Sequence, residues 1–264
     1  MPNPAQKPQL SPAAEVSIAA LAGIPLVKQG DDIAGLILDG LAASGFALKR
    51  GDVLVIAQKV VSKAEGRVVD LRGVSPSPRA KQLAAEVEKD ARLVELVLRE
   101  STEVVRHRKG VLVVAHRSGI VLANAGIDAS NVVGDEHHVL LLPEDCNRSC
   151  HDIRAQLGAR TGVEPAVLVI DSLGRAWRNG TVGVALGAAG LPALLDLRGR
   201  PDLYGRELRS TEVGIADEIA AAASMLMGQA GEGTPIALLR GLNLPSADGS
   251  AADLIRPREI DLFR

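Results

Sequence analysis

Two lysines, an amide and a hydroxyl directly follow an aliphatic stretch of the sequence. Val53–Ala57 is the aliphatic run, and Gln58, Lys59, Ser62 and Lys63 come after it. Ammonium groups with amide and hydroxyl donors at the end of a buried strand could bind phosphate oxygens. A solvated strand exit would have the same composition, so the spacing alone leaves both interpretations open.

Asp128 and Asp171 lie in two further polar blocks whose composition suits a hard cation. Asp128 stands among the small and amide-bearing residues 124–131, and Asp171 follows the aliphatic run 166–170. Oxygen ligands are the ones that Mg²⁺ prefers. Both carboxylates could therefore bind a divalent cation. The competing interpretations are an Asx-type turn at Asp128 and a strand-capping role for Asp171 at the carboxyl end of its strand.

Anion-binding groups follow Asp171 and recur near residue 230. Arg175 and Arg178 flank Trp177, and together they could hold an anionic group and a ring, although surface arginines would look the same. Residues 227–234 contain three glycines, which let backbone N–H groups approach a ligand closely. A helix C-cap would explain Gly228 alone, but not all three glycines.

Composition excludes several classes of protein. The chain has 264 residues, with 30 basic against 32 acidic side chains and only four aromatic residues. This balance argues against nucleic acid and anionic membranes as partners. Two cysteines cannot form a secreted disulfide scaffold, and neither a signal peptide nor a membrane-spanning stretch is recognisable, so we expect a cytoplasmic protein. No P-loop or Rossmann fingerprint is present.

The hydrophobic pattern predicts an α+β fold of mixed sheets with flanking helices, because strands and helices alternate without a strict βαβ rhythm. Strands are predicted at Val53–Ala57, Val111–His116, 120–123, 139–142, 166–170 and 235–239, with a hairpin over 111–123. Helices are predicted at 31–41, 81–100, 149–157 and 213–227, the second of them preceded by the capping pair Ser77 and Pro78.

Several blocks, in this order, resemble the coenzyme F420-0:L-glutamate ligases, also called gamma-glutamyl ligases. They are GIPL with GDD, QKVVSKAEGR, NAGIDASN, LLPED, DSLGRAWRNG, PDLYGREL and ADEIAAAASMLMGQAGEGTP. The resemblance runs from about residue 23 to residue 244, which is most of the chain.

The resemblance implies GTP-dependent amide formation in an unusual α+β fold that forms an intertwined homodimer. GTP would phosphorylate the terminal carboxylate of the deazaflavin F420-0, and L-glutamate would attack the resulting acyl phosphate. Further glutamates would be added through γ-linkages. The implied cofactors are divalent metals, Mg²⁺ or Mn²⁺ and two in number, with K⁺ as an additional ion.

The same resemblance assigns roles by position. Asp128, Asp171, Ser172 and Gln229 would bind metal, with Gln229 standing where some members have Glu. The GTP site would consist of Ile24, Pro25, Leu26, Val27, Gln58, Lys59, Lys63, Asn131, Met227, Gly228, Gln229, Ala230, Gly231, Glu232, Gly233 and Thr234. The catalytic set would be Asp128, Asp171 and Lys63, to which we add Arg175 and Arg178 as candidates for binding the anionic groups of the substrate.

The chain is therefore expected to have a flexible arm over residues 1–15 and a gamma-glutamyl ligase domain over 16–264. A division into two subdomains is left open, and no appended flavin-binding domain is expected. Trp177 and Tyr204 fall inside the matching blocks and could contact a deazaflavin or guanine, whereas Phe46 and Phe263 are expected to serve packing.

Two alternatives remain. The same ligase chemistry could act on another acceptor carboxylate or amino acid, because the nucleotide and metal blocks do not report acceptor identity. A catalytically inactive, nucleotide-binding regulatory protein is the other.

Overall fold

A computed structural model describes residues 15–132, 134–245 and 247–262. They divide into two compact units. Unit 1 contains the described residues up to Leu26, with Asp32–Ala57 and Cys146–Leu254; unit 2 contains Val27–Asp31, Gln58–Asp145 and the described residues from Ile255 onward. Nearly all of the predicted arm, and Phe263, lie outside the described residues. Within them, no helix combines the length and apolar composition that a membrane span requires.

The elements mix strands and helices along the chain, which confirms the α+β class. The strands are β1 (Ser17–Ala20), β2 (Val53–Ala57), β3 (Val68–Asp70), β4 (Ser101–Arg108), β5 (Val111–His116), β6 (Val121–Ala123), β7 (His138–Leu140), β8 (Ala166–Arg175), β9 (Arg178–Ala189), β10 (Leu195–Asp196), β11 (Glu212–Val213) and β12 (Ile236–Arg240). The α-helices are α1 (Ile33–Ala43), α2 (Gln58–Ala64), α3 (Pro78–Val87), α4 (Ala91–Arg99), α5 (Cys146–Thr161) and α6 (Ile215–Met227).

Unit 1 is built on a five-stranded sheet with the order β1-β12-β2-β8-β9. β2 and β8 are parallel neighbours, and the other neighbouring pairs are antiparallel. β2 and the first half of β8 are aliphatic and buried, as expected for central strands covered on both faces. Helices α5 and α6 pack against β8 and β9.

Glycines in β9 let both helices approach this sheet closely. A Cβ atom added to Gly183 would collide with the backbone carbonyl of Ala220 in α6. One added to Gly187 would collide with the backbone carbonyl of Cys146 in α5. The small side chains of β9 are therefore a packing requirement as well as a consequence of composition.

Unit 2 combines a three-stranded antiparallel sheet, β4-β5-β6, with the β3-β7 pair and helices α2, α3 and α4. Its core includes Leu83, Val87, Val97, Leu112 and Val114. The predicted hairpin is confirmed, since β5 pairs antiparallel with β6. Its turn places a glycine, residue 119, at a φ of 92°.

The continuous helix predicted over residues 81–100 is wrong. Glu88 adopts a left-handed φ of 52° and ends α3, and the Asp90 carboxylate then caps α4 by accepting the Arg92 N–H at 2.8 Å. The helical spacing of apolar residues persists because both short helices pack into the same core. The cap at Ser77 and Pro78 is confirmed, with the Ser77 hydroxyl accepting from the Ala80 N–H.

Other boundaries also differ. The block after Val53–Ala57 is the helix α2 and not an irregular strand exit. β8 continues five residues beyond the predicted strand and forms a long hairpin with β9, which the sequence pattern did not predict. β1 and β4 were also not predicted, and α5 begins at Cys146 rather than at Ser149.

Unit 2 contains a nearly buried charged cluster around Glu100. The Glu100 carboxylate lies 2.9 Å from Arg67 Nη2, 3.2 Å from Arg117 Nη2 and 3.7 Å from His116 Nε2. Burial opposes ionisation, but His116 and the two guanidinium groups outweigh it and lower the pKa of Glu100. Because the pKa is lowered on folding, the cluster stabilises the folded state fully above the unfolded value of 4.5.

We expect Glu100→Gln to lower the free energy of unfolding by about 2 kcal/mol at pH 7, because it removes the buried charge that pairs with the half-buried Arg67 and the exposed Arg117. The difference from the unaltered chain should shrink as the pH falls through the lowered pKa of Glu100. Urea unfolding between pH 3 and pH 7, in about one-unit steps, measures this stability difference. Glu88→Gln, which removes an exposed carboxylate, is the control. A difference independent of pH would contradict the ionic account.

We expect Gly183→Ala to destabilise the fold by about 1–3 kcal/mol, because its new methyl group meets the rigid backbone of α6. Gly174→Ala in β8 is the matched control, since a Cβ there meets no atom within 4 Å. Urea unfolding of both variants measures the difference. Equal stabilities would show that α6 does not pack against β9 as closely as described.

Candidate functional site

Lys59 and Asp128 form a short ion pair in unit 2. Lys59 lies in the first turn of α2, and its Nζ is 2.6 Å from Asp128 Oδ2. The backbone of Asp128 is fixed by two hydrogen bonds with Leu140 of β7, one from each amide. The carboxylate and the ammonium group, 69 residues apart in sequence, are thus brought together by elements of one unit.

Ser130 completes this pair, although our sequence assignment gave it no role. Its N–H donates to Asp128 Oδ1 at 2.7 Å, and its hydroxyl donates to Asp128 Oδ2 at 3.0 Å. Its hydroxyl and carbonyl oxygens accept from Lys59 Nζ at 2.9 and 3.1 Å. The Asx-type turn considered as an alternative is therefore present, and it orients the carboxylate. The D-x-S spacing was the signal that could have identified Ser130.

Burial and neighbouring charges shift the pKa values of Asp128 and Lys63. Burial raises the pKa of Asp128, but Lys59 and the two hydrogen bonds from Ser130 outweigh burial and lower it overall. Burial lowers the pKa of Lys63, and the nearby ammonium of Lys59 lowers it further. The two ammonium groups repel each other, and an added anion would relieve that repulsion.

Gln58 adds a buried amide donor to this group of residues. Its side chain is buried, and Oε1 accepts from the Ser62 hydroxyl at 2.8 Å. Its Nε2 is also buried and has no hydrogen-bond partner among the described residues. Unpaired buried amides are costly, so this group is a candidate for binding a ligand oxygen. Asn131, on the same loop as Asp128, is exposed and has a φ of 54°.

Asp171 and Ser172 lie within β8 and not at its end, which corrects the predicted position of Asp171. They pair with Val184 and Gly183 of β9. Because pairing is regular through this stretch, the two side chains point to opposite faces of the sheet. Asp171 Oδ1 accepts from the Ser172 N–H at 2.8 Å. One ion could not readily be held by both side chains, so their predicted metal roles require separate positions.

Arg175 and Arg178 face each other where β8 turns into β9. Trp177, in the turn between them, has a φ of 64° and is 88% exposed. Nη1 of Arg175 is buried and has no hydrogen-bond partner among the described residues, whereas Arg178 is exposed. A buried guanidinium nitrogen without an acceptor is suited to binding an anion.

The loop after α6 folds around its own carboxylate. Gly228, at a φ of 73°, ends the helix, as the cap interpretation predicted. Glu232 Oε2 accepts from the Ala230 N–H at 2.8 Å, and backbone N–H groups of this loop lower the pKa of Glu232. The Thr234 hydroxyl donates to the carbonyls of Leu226 and Met227. Converging N–H groups of this kind can bind an anion.

The predicted nucleotide-binding residues 24–27 are divided between the units. Ile24, Pro25 and Leu26 belong to unit 1, and Val27 belongs to unit 2. The Ile24 side chain packs over Gly40 of α1, Leu26 is 80% exposed and Val27 is buried. Exposed Leu26 and Pro25 leave this segment accessible for contact with a ligand.

The residues fit a Mg²⁺-type ion and not a protein-enclosed metal. Among the described residues, no group of three or more His, Cys, Asp or Glu could hold a metal ion. Mg²⁺ usually takes one or two carboxylates and completes its shell with water and substrate phosphates. Asp128 meets that requirement, since its carboxylate already binds a positively charged group, the Lys59 ammonium.

Unit 2 therefore groups Gln58, Lys59, Lys63, Asp128 and Asn131 on α2 and the loop before β7. Unit 1 carries Asp171, Ser172, Arg175 and Arg178 on one hairpin, and residues 227–234 on a separate loop. The first group could bind phosphate and a cation together. The roles of both groups stay predictions.

Comparison with known proteins identifies the family. Residues 23–241 match the family model described as F420-0:Gamma-glutamyl ligase. A protein of Methanothermobacter thermautotrophicus named coenzyme F420:L-glutamate ligase is 47% identical over 94% of this chain and 99% of its own length. Proteins of the same name from Methanopyrus kandleri (46% identical, 90% and 93% covered) and Archaeoglobus fulgidus (44%, 94% and 96%) are also similar. The chain thus belongs to the F420-0:gamma-glutamyl ligase family of enzymes.

Proposed function

We propose that this enzyme joins L-glutamate to the deazaflavin coenzyme F420-0 at the expense of GTP, through an acyl phosphate, and then adds further glutamates through γ-linkages. We propose Mg²⁺ or Mn²⁺ as its metal cofactors, with K⁺ as an additional ion, and a homodimer as its working form. The observation that carries the proposal is the 47% identity to a relative named coenzyme F420:L-glutamate ligase, covering nearly the full length of both chains.

The first step transfers a phosphoryl group. A carboxylate oxygen of the acceptor forms a bond to the γ-phosphorus of GTP, and the bond to the β-phosphate oxygen breaks, releasing GDP. Lys59 and Lys63 would donate to phosphate oxygens, and Gln58 Nε2 supplies a further donor that has no acceptor in the described part of the chain. Such a transfer depends mainly on positioning and on stabilising charge, which these donors provide.

The second step forms the amide. The glutamate nitrogen bonds to the acyl carbon, the bond from that carbon to the phosphate oxygen breaks, and inorganic phosphate leaves while the amine loses a proton. Arg175 and Arg178 are our candidates for holding carboxylate or phosphate groups of F420-0, since Nη1 of Arg175 has no hydrogen-bond partner within the described ranges. Asp128, and by prediction Asp171, Ser172 and Gln229, would hold the divalent ions. Those ions, when bound, supply positive charge to the phosphate oxygens.

One incubation tests the proposal. The enzyme is mixed with GTP, Mg²⁺ or Mn²⁺, F420-0 and L-glutamate, and the products are read by mass spectrometry. We expect successive additions of glutamyl residues with release of GDP. If GDP is released only with another acceptor, that acceptor and not F420-0 is the substrate. Nucleotide binding without turnover would indicate a regulatory protein.

We expect Asp128→Asn to lower kcat by about 10²–10³-fold, because it removes the negative charge that would bind the metal. Steady-state glutamate ligation measures the loss, and thermal unfolding checks that the variant folds. Asp39→Asn, on the exposed face of α1, is the matched control. Full turnover by a folded Asp128→Asn variant would refute the metal assignment.

We expect the double variant Arg175→Gln, Arg178→Gln to raise the KM for F420-0 by about tenfold or more, because an anion would lose charged hydrogen bonds of about 1.5–3 kcal/mol each. Initial rates at varied acceptor concentration provide the KM. Arg148→Gln, an exposed residue of α5, should leave KM unchanged. If the double variant also leaves KM unchanged, these arginines do not bind the acceptor.

A further inference from the structure

The Lys59 ammonium occupies a cradle of three oxygen atoms. They are Asp128 Oδ2 at 2.6 Å, Ser130 Oγ at 2.9 Å and the Ser130 carbonyl oxygen at 3.1 Å. An ammonium group has three donors and no acceptor, so these three contacts satisfy it completely. A carboxylate, a hydroxyl and a carbonyl oxygen are also the ligand types that hard divalent cations take.

The ammonium and a divalent cation cannot share this cradle. Two cations bound to the same carboxylate oxygen would repel each other strongly at such distances, above all in a half-buried position. The Lys59 side chain is 23% exposed, and its four-carbon stem can move the ammonium away while α2 stays in place. Lys63 lies one helical turn further along α2, and its ammonium adds positive charge near Lys59 that an anion would neutralise.

We propose that Lys59 is the resident cation of Asp128, so that a divalent metal binds by displacing it, and that the released ammonium then binds an anionic group of the nucleotide. The inference rests on the proposed function in one respect, the metal-binding role of Asp128. Ser130 is the positioning residue of this exchange, since it holds both carboxylate oxygens in place while the cation changes.

This exchange couples the metal to the anion. Metal without an anion must leave the ammonium unpaired, and an anion without metal must compete with Asp128 for it. Each ligand therefore binds weakly alone and tightly once the other is present, and the coupling is reciprocal. The apparent affinity for metal equals the affinity of the open site multiplied by the fraction of molecules in which Lys59 is displaced.

Titration with Mn²⁺ alone, followed by electron paramagnetic resonance of the free ion, tests the inference. Lys59→Met removes the competing charge, and we expect it to bind Mn²⁺ roughly tenfold more tightly than the unaltered chain. Lys109→Met removes one exposed charge elsewhere in unit 2 and should bind Mn²⁺ as the unaltered chain does. Adding Asp128→Asn to Lys59→Met should abolish the gain.

Unchanged or weaker Mn²⁺ binding by Lys59→Met would overturn the inference, and so would a gain that survives Asp128→Asn. Thermal unfolding confirms that each variant is folded, and Lys59→Gln, which keeps a polar side chain, replaces Lys59→Met if that variant does not fold. The titration contains no nucleotide or acceptor. An enzyme that adds no glutamate but gains Mn²⁺ affinity in Lys59→Met would therefore refute the proposed function and leave the exchange intact.

Discussion

Strand β8 is paired along both edges, parallel to β2 on one side and antiparallel to β9 on the other, and unit 1 depends on this constraint. Hydrogen bonds to a neighbour on each edge define the register of this strand, and its first five residues are buried on both faces of the sheet. The register places Asp171 and Ser172 opposite Val184 and Gly183. It also brings the small residues of β9 under α5 and α6, so that packing and the position of these polar side chains have one origin.

One carboxylate in each unit is bound by groups of the same unit. In unit 2, the Asp128 carboxylate binds the Lys59 ammonium and two donors of Ser130. In unit 1, the Glu232 carboxylate accepts from the backbone of its own glycine-rich loop. In unit 2 this pairing gives the half-buried Asp128 carboxylate a partner, whereas Glu232 is exposed. A ligand that binds one of these groups must compete with the contact already present. Its affinity depends on the difference in free energy between the new contacts and the ones they replace.

The sequence predicted what depends on local pattern. Aliphatic runs identified β2, β5 and β12, and the Ser77 hydroxyl with Pro78 identified the start of α3. Long-range pairing was less accessible: β9 is rich in Gly and Ala, so its strand character comes from pairing with β8 and not from its own propensity. The break at Glu88 was hidden because the apolar spacing continues across it. Likewise, the pairing of Lys59 with Asp128 follows from tertiary structure that no spacing reveals.

The proposed mechanism depends on phosphorylation of the carboxylate of F420-0 before glutamate attacks it. The transfer of oxygen from this carboxylate to phosphate can be measured directly with an isotope label. With ¹⁸O in both oxygens of the terminal carboxylate of F420-0, the amide keeps one labelled oxygen and the other leaves with the phosphate. Mass spectrometry of the inorganic phosphate should therefore find one ¹⁸O atom for each amide formed. Amide formation with unlabelled phosphate would contradict the account.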